Sequence, residues 1–352
     1  MSNKQTKFKW SLLAIKNVII RHLTRVFSLL FVLSCCLSIV LGSCTSERIN
    51  ESNAPRDNLP SNLTKIVRIG YQPLGTLLYL KAKGSLETRL AKMGWSVAWT
   101  EFPTGPPIFD AIGKAKIDFG YAGVAPPIFA QAAGVPFVYI ANDSLLAGSA
   151  GIVVPPDSPI RTLADLKGKK IAATQKTAGH YLLIRALVKS GLKLQDIELI
   201  DLLPLKAKEA FLQGKVDAWA IWQPFIAQLQ ESKLVRLLSD SDTLLNDRNF
   251  YFGSRSFASE HSDIVKIVME EARQVGKWVT NNPAQAAQMI SVSTGMKLTT
   301  ALIVTKSRRY DALPIQDRAV EEQQRIAETF FRLGLLRDRI WIEDAVWKQK
   351  LD

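Results

Sequence analysis

From Lys65 onward the hydrophobic pattern alternates between two textures. Short β-branched or apolar runs at residues 66–69, 96–100, 137–141, 151–154, 170–173 and 218–222 read as strands. Between them, apolar positions recur with helical spacing at 76–93, 107–115, 127–133, 180–190 and 206–213. Strand, helix, strand in repeated order predicts an α/β protein with right-handed crossovers. Past Phe257 the alternation stops. Residues 261–281, 283–293, 316–332 and 340–348 predict a helical C-terminal segment with short connections.

Two extended stretches, 151–156 and 249–254, each lead into a new block. If both connect two lobes, the chain divides into a first lobe of residues 65–152 and 250–352 and a second of 153–249. A ligand would then sit between them, at a hinge of two strands.

The N-terminus changes where this happens. Residues 1–25 carry Lys4, Lys7, Lys9, Lys16, Arg21 and Arg25 and no acid. An apolar run at 26–41 follows, broken by Ser28, Ser34, Cys35, Cys36 and Ser38. It is shorter than the ~20 residues that span a bilayer, and it reads as a secretory leader of residues 1–43. Leu41-Gly42-Ser43-Cys44 resembles a bacterial lipobox, so Cys44 is the expected lipidation site; Val32-Leu33-Ser34-Cys35 competes but leaves the apolar run too short. Residues 44–64, polar and with Pro55 and Pro60, predict a flexible tether. The expected location is the periplasm or the outer face of the cytoplasmic membrane.

All three cysteines, Cys35, Cys36 and Cys44, fall at or before that boundary. Disulfides, thiolate metal sites and cysteine nucleophiles are therefore not expected in the folded part. Only His180 and His261 lie beyond the leader, without a ligand-spaced partner, and no metal or other cofactor is expected. Removing the six basic leader residues from 45 Lys and Arg leaves 39 against 32 acids, a net charge of +7. The basic residues are dispersed, which favours anionic solutes or a membrane surface over nucleic acid. Walker, dinucleotide and Gly-x-Ser-x-Gly patterns are absent, and no catalytic residue is assigned.

Several ordered stretches carry a family resemblance. They include Val67-Arg68-Ile69-Gly70-Tyr71-Gln72, Ile117-Asp118-Phe119-Gly120 and the run from Ala125-Pro126-Pro127 to Gly134. In the second block come Leu166-Lys167-Gly168-Lys169-Lys170, His180-Tyr181-Leu182-Leu183 and Val216-Asp217-Ala218-Trp219-Ala220-Ile221-Trp222. With these the chain resembles the sulfonate, taurine and nitrate binding proteins of ABC importers, nearest the aliphatic sulfonate-binding type. The resemblance implies a two-lobed type II periplasmic binding-protein fold. It also implies a small organic anion as ligand, a permease and an ATPase as partners, and no catalysis. Nitrate, taurine or another small solute is the alternative, as is a receptor-docking sensor or an enzyme resembling the thiamin-pyrimidine synthases. Those enzymes depend on a Cys cluster that the folded part here lacks.

Candidate contacts lie where strands end and helices begin, since free N–H groups and the helix dipole favour anions there. The first lobe offers Gln72, Gly75 and Thr76, then Gly105 and Pro106, then Gly123, Val124 and Ala125. From the second come Thr177, Ala178 and His180, with Trp222 and Gln223 ending a strand. Arg255, after the second connecting strand, is the candidate fork for a sulfonate or carboxylate. Capping, core packing and a hinge salt bridge are the competing roles of these residues. Relatives commonly carry an acid where Val124 and Gln223 stand. A less acidic lining, and a sulfonate without an amine, follow as expectations.

Overall fold

The computed structural model describes residues 65–144, 148–242, 244, 245, 247–349 and 351. The expected leader, the lipidation at Cys44 and the tether lie outside the described residues. The described part contains two mixed sheets and twelve α-helices.

The first sheet is laid down by crossovers. β1 (Lys65–Tyr71) and β2 (Trp95–Glu101) run parallel, and α1 (Thr76–Lys83) and α2 (Ser85–Ala91) connect them. One helix was expected over 76–93. It breaks at Gly84, whose φ of 65° lies in the left-handed region and ends α1 with bonds to Leu80 and Lys81 carbonyls. After α3 (Pro106–Gly113), β3 (Phe119–Gly123) lies parallel on the other side of β1. α4 (Ala125–Ala132) then leads to β4 (Phe137–Asn142).

The second sheet holds β5 (Ala150–Val154), β6 (Lys170–Ala173), β7 (Glu198–Asp201), β8 (Ala218–Trp222) and β9 (Arg236–Asp240), in the order β7-β6-β8-β5-β9. Its helices are α5 (Ala178–Lys189), α6 (Pro204–Leu212) and α7 (Phe225–Glu231). β10 (Asn249–Ser254) then returns to the first sheet, followed by α8 (Arg255–Glu260), α9 (Ser262–Asn281), α10 (Pro283–Thr294), α11 (Leu298–Lys306), β11 (Leu313–Pro314) and α12 (Asp317–Arg332). The first sheet reads β11-β4-β10-β3-β1-β2.

The connections between sheets differ slightly from expectation. Gly151 and Ile152, expected in the first lobe, pair on both sides within the second sheet, opposite Ile221 and Ala220 and opposite Asp240 and Ser239. Asn249, expected in the second lobe, pairs with Gly123 in the first sheet. The chain therefore passes between sheets after Asn142 and again after Asp240, just ahead of the two predicted stretches. A fully buried run such as Ala150–Val154 is a central strand, because its backbone needs partners on both edges.

Alternation along the strands supplies two cores per lobe. Val138, Ile140 and Tyr251 pack with α1 and α9 on one face of the first sheet, while Phe137, Tyr139, Phe250 and Phe252 pack with α3 and α12 on the other. In the second sheet Ile152, Val154 and Ile171 meet α5, and Val153, Ala172 and Trp219 meet α6 and α7. The helix expected over 340–348 reduces to a 3-10 turn, Ile342–Ala345. Its flanks are extended, and Trp347 N–H donates to the Tyr139 carbonyl at 2.9 Å, so β4 satisfies backbone that a helix would have bonded internally.

Two buried polar nodes fasten the passages. Asp143, directly after β4, accepts from Tyr121 Oη at 2.6 Å, Tyr251 Oη at 3.0 Å and the Ala312 N–H at 3.2 Å. Arg248, directly before β10, pairs with Glu322 of α12, which also receives Arg318 Nε at 3.1 Å. Both partners of the Arg248–Glu322 pair are buried. Glu322→Ala leaves the Arg248 guanidinium buried without that partner, and urea unfolding of the mature domain is expected to show a loss of roughly 3 kcal/mol or more.

Candidate functional site

The parallel strands of both sheets point their C-terminal ends at a shared cleft, and the turns that leave those ends form its walls. Gln72 follows β1, Gly105 follows β2 and Gly123 ends β3, all in the first lobe. Thr177 and Ala178 open α5, and Trp222 ends β8, in the second lobe. β10 runs antiparallel to β3, so its first residue, Asn249, meets Gly123 at the cleft, and Ser149 enters just ahead of antiparallel β5. Leu74, Tyr121, Pro126, Asp247 and Arg308 complete the lining of a partly open pocket of about 40 Å³.

The lobes touch around it. A Cβ on Gly123 would lie 3.5 Å from the Ala178 Cβ, ordinary contact across the cleft. Lys176 Nζ sits 5.7 Å from the centre of the Phe129 ring. On another edge, Glu231 at the end of α7 accepts from the hydroxyls of Thr299 and Thr300, in the first turn of α11. Gly75 is required where it stands. Its φ is +91°, and a Cβ there would come within 2.5 Å of the Tyr121 ring that forms one wall.

One half of the lining is apolar, with Leu74, Pro126 and the rings of Tyr121 and Trp222. The other half is polar and under-bonded. Arg308 is 7 % exposed, and its Nε and Nη1 have no hydrogen-bond partner among the described residues. Asn249 Nδ2 is likewise an unpartnered buried donor. Ser149 Oγ donates to Asp247 Oδ2, while Asp247 Oδ1 has no partner among the described residues. Burial pushes the Asp247 carboxyl up from its ordinary value, and the Ser149 hydroxyl and Arg308 charge pull it back. The first N–H groups of α5 have no carbonyl one turn earlier within the helix, and they add donors at the cleft.

The NMT1/THI5 like family model matches residues 94–286. A protein of Escherichia coli (strain K12) named as an aliphatic sulfonates-binding protein is 33% identical over 80% of this chain and 88% of its own. One of the same name in Bacillus subtilis (strain 168) is 33% identical over 80% of this chain and 86% of its own. This chain belongs to the NMT1/THI5-like family. The solved alkanesulfonate-binding protein of Xanthomonas axonopodis pv. citri, bound to MOPS, superimposes with a TM-score of 0.76. It shares 34% identity over 80% of this chain and 98% of that one. The resemblance to aliphatic sulfonate-binding proteins and the two-lobed periplasmic binding-protein fold are both borne out.

Of the residues singled out from the family pattern, Gln72, Gly105, Gly123, Thr177, Ala178 and Trp222 line the cavity together. Pro106 and Ala125 instead occupy first positions of α3 and α4, and Thr76 is fully buried at the start of α1. His180 is buried behind the lining. Its Nδ1 accepts from the Lys176 N–H at 3.3 Å, and burial lowers its pKa to about 4. Thr177 caps α5 and gives its proton to the Thr174 carbonyl at 2.6 Å, so its hydroxyl proton is already engaged.

Three of the candidates stand away from the lining. Arg255 is outside the cavity and donates to the Asp344 carbonyl at 3.1 Å. It follows the far end of antiparallel β10, whereas the start of that strand meets the cleft. Val124 is buried, with its carbonyl accepting from Gln323 Nε2 at 2.6 Å. Gln223 is turned to the Gly148 carbonyl and the Ala227 N–H. Neither side chain contributes to the lining, and Asp247 supplies the acid that their identity had argued against. Arg308 and Asp247 carried no motif. The available signal was Arg308-Arg309 between a helical pattern and the extended 312–315 stretch, which needs the fold to be interpretable.

Burial also sets opposing pH slopes. The Asp143 carboxyl is pushed up to about 7, chiefly by burial, so the folded state keeps a proton that the unfolded chain releases from about pH 4 upward. That contribution to stability is lost as pH rises through about 7. His180, held near 4, resists a proton that the unfolded chain takes up below about 6.5, so its contribution is lost as pH falls. Melting temperatures measured from pH 4.5 to 7 are expected to climb more steeply with pH in Asp143→Asn than in the unchanged protein. His180→Gln is expected to tilt the profile the other way.

Proposed function

We propose that this chain is the extracytoplasmic solute-binding component of an ABC importer, and that it captures an organic sulfonate between its lobes. The observation that carries the reading is Arg308, a guanidinium taken out of water into the cleft with two donor nitrogens, Nε and Nη1, unspent among the described residues. Desolvating a cation without a partner is costly, and an anionic ligand removes the cost. A sulfonate offers three acceptor oxygens to Arg308, Asn249 and the start of α5, while Trp222, Tyr121 and Leu74 cover its carbon chain. The names of the relatives support the ligand class, and they are names of binding proteins.

In this reading the lobes part to admit the solute and close over it, and the closed form is presented to a permease driven by an ATPase. Binding is productive only if the solute favours the closed state over the open one. Export through the 1–43 leader and lipidation at Cys44 would hold the protein at the outer face of the membrane, with residues 44–64 as the tether.

The test uses the mature domain in calorimetry and thermal melts. Ethanesulfonate is expected to raise the melting temperature, because it binds only the folded protein. Arg308→Gln is expected to weaken ethanesulfonate by about a hundredfold while leaving the melting temperature of the free protein unchanged or higher. Undiminished affinity in Arg308→Gln would reject the site. A shift with nitrate or carboxylates and none with sulfonates would keep the site and reject the ligand.

A further inference from the structure

The anion accounts for only one side of the polar lining. Opposite charge is built into the same cavity by Asp247, 4 % exposed, on the passage that leads into β10. Its Oδ2 is taken by the Ser149 hydroxyl, and Ser149 is itself 2 % exposed and within 3.3 Å of Ser241 Oγ. Oδ1 is buried and receives no donor among the described residues. The cavity's own free donors, Arg308 and Asn249, make no hydrogen bond to it among the described residues. A sulfonate cannot fill that vacancy, because it is an acceptor only, and an unsubstituted alkanesulfonate would bring a second negative charge beside the carboxylate.

Resting on the reading of the cleft as a sulfonate site, we propose that Asp247 is a specificity-determining residue that accepts a hydrogen bond from the ligand. The solute is then a short sulfonate with a hydroxyl or ammonium group near the sulfur, its oxygens on Arg308 and Asn249 and its donor on Asp247 Oδ1. Each under-bonded atom of the polar wall acquires a partner in that arrangement. A plain alkanesulfonate satisfies the cation and leaves the carboxylate bare. Selection thus comes from a buried acceptor that penalises the wrong ligand, which discriminates more sharply than a fit of apolar surface.

Side-by-side calorimetric titrations of the unchanged mature domain with ethanesulfonate, 2-hydroxyethanesulfonate and 2-aminoethanesulfonate decide it. At least one of the two substituted ligands is expected to bind about tenfold or more tighter than ethanesulfonate. Asp247→Asn keeps an acceptor for Ser149 and removes the charge. It is expected to shrink the preference to within about threefold, with ethanesulfonate bound more tightly than before. A purely structural Asp247 would weaken all three ligands alike. Equal affinities for all three in the unchanged protein overturn the role of Asp247 and leave the sulfonate reading standing. Failure of all three to bind overturns both. Should the variant fail to fold, the titration of the unchanged protein still decides the question.

Discussion

The Asp143 carboxylate is the point on which the cleft depends. One side chain, fully buried, collects a phenol from β3, a phenol from β10 and a backbone N–H from the loop between α11 and β11. Those three elements come from distant parts of the chain, and each brings something to the site. β3 brings Tyr121 and Gly123, β10 brings Asn249, and the loop carries Arg308. Asp143 also stands where the chain leaves the first sheet, so the anchor of the wall is the anchor of the passage. A buried acid with three donors is rigid because any displacement strands several hydrogen-bonding groups at once. The Arg248–Glu322 pair repeats the device at the second passage and ties it to α12.

The antiparallel course of β10 decides how much of this is legible in the sequence. Parallel strands present the same end to the ligand, so strand–turn–helix patterns at 71–76, 104–107, 123–126 and 176–180 point to the correct edge from composition alone. Six of the fourteen candidate contacts meet there for that reason. A strand that runs the other way offers its first residue, and nothing local to 249–255 records its direction. Arg255 was therefore expected at the cleft when Asn249 and Asp247 are what reach it. Arg308 was hidden by a longer detour, because its place depends on how α9 to α11 pack back onto the first sheet. Helix breaks were equally local in origin: Gly84 splits one long apolar pattern into α1 and α2 without disturbing the hydrophobic period.

Net charge and site charge act on different scales. The chain beyond the expected leader carries +7, dispersed along the sequence, where each solvated charge is screened beyond roughly 8–10 Å. That field can bias the approach of an anion and discriminate little between anions. In the cavity the same charge on one guanidinium acts over a few ångströms with little water between, where the interaction is several times stronger. Asp247 in the same enclosure means that the balance of signs, and not their sum, sets what fits.

On the proposed reading, contacts between the lobes and unsatisfied groups in the cleft act against one another when no solute is bound. The empty cleft already has contacts that favour the closed form, Gly123 against Ala178 and Glu231 with Thr299 and Thr300. Opposing them are the buried groups of Arg308, Asn249 and Asp247 that have no partner among the described residues. An exposed contact such as Glu231 with Thr299 contributes little, since water can replace it. The under-bonded polar wall contributes more, and with the opposite sign. A ligand that satisfies those groups removes the opposition and leaves the latch unopposed. The under-bonded polar wall that makes the empty pocket costly is therefore what couples recognition to closure.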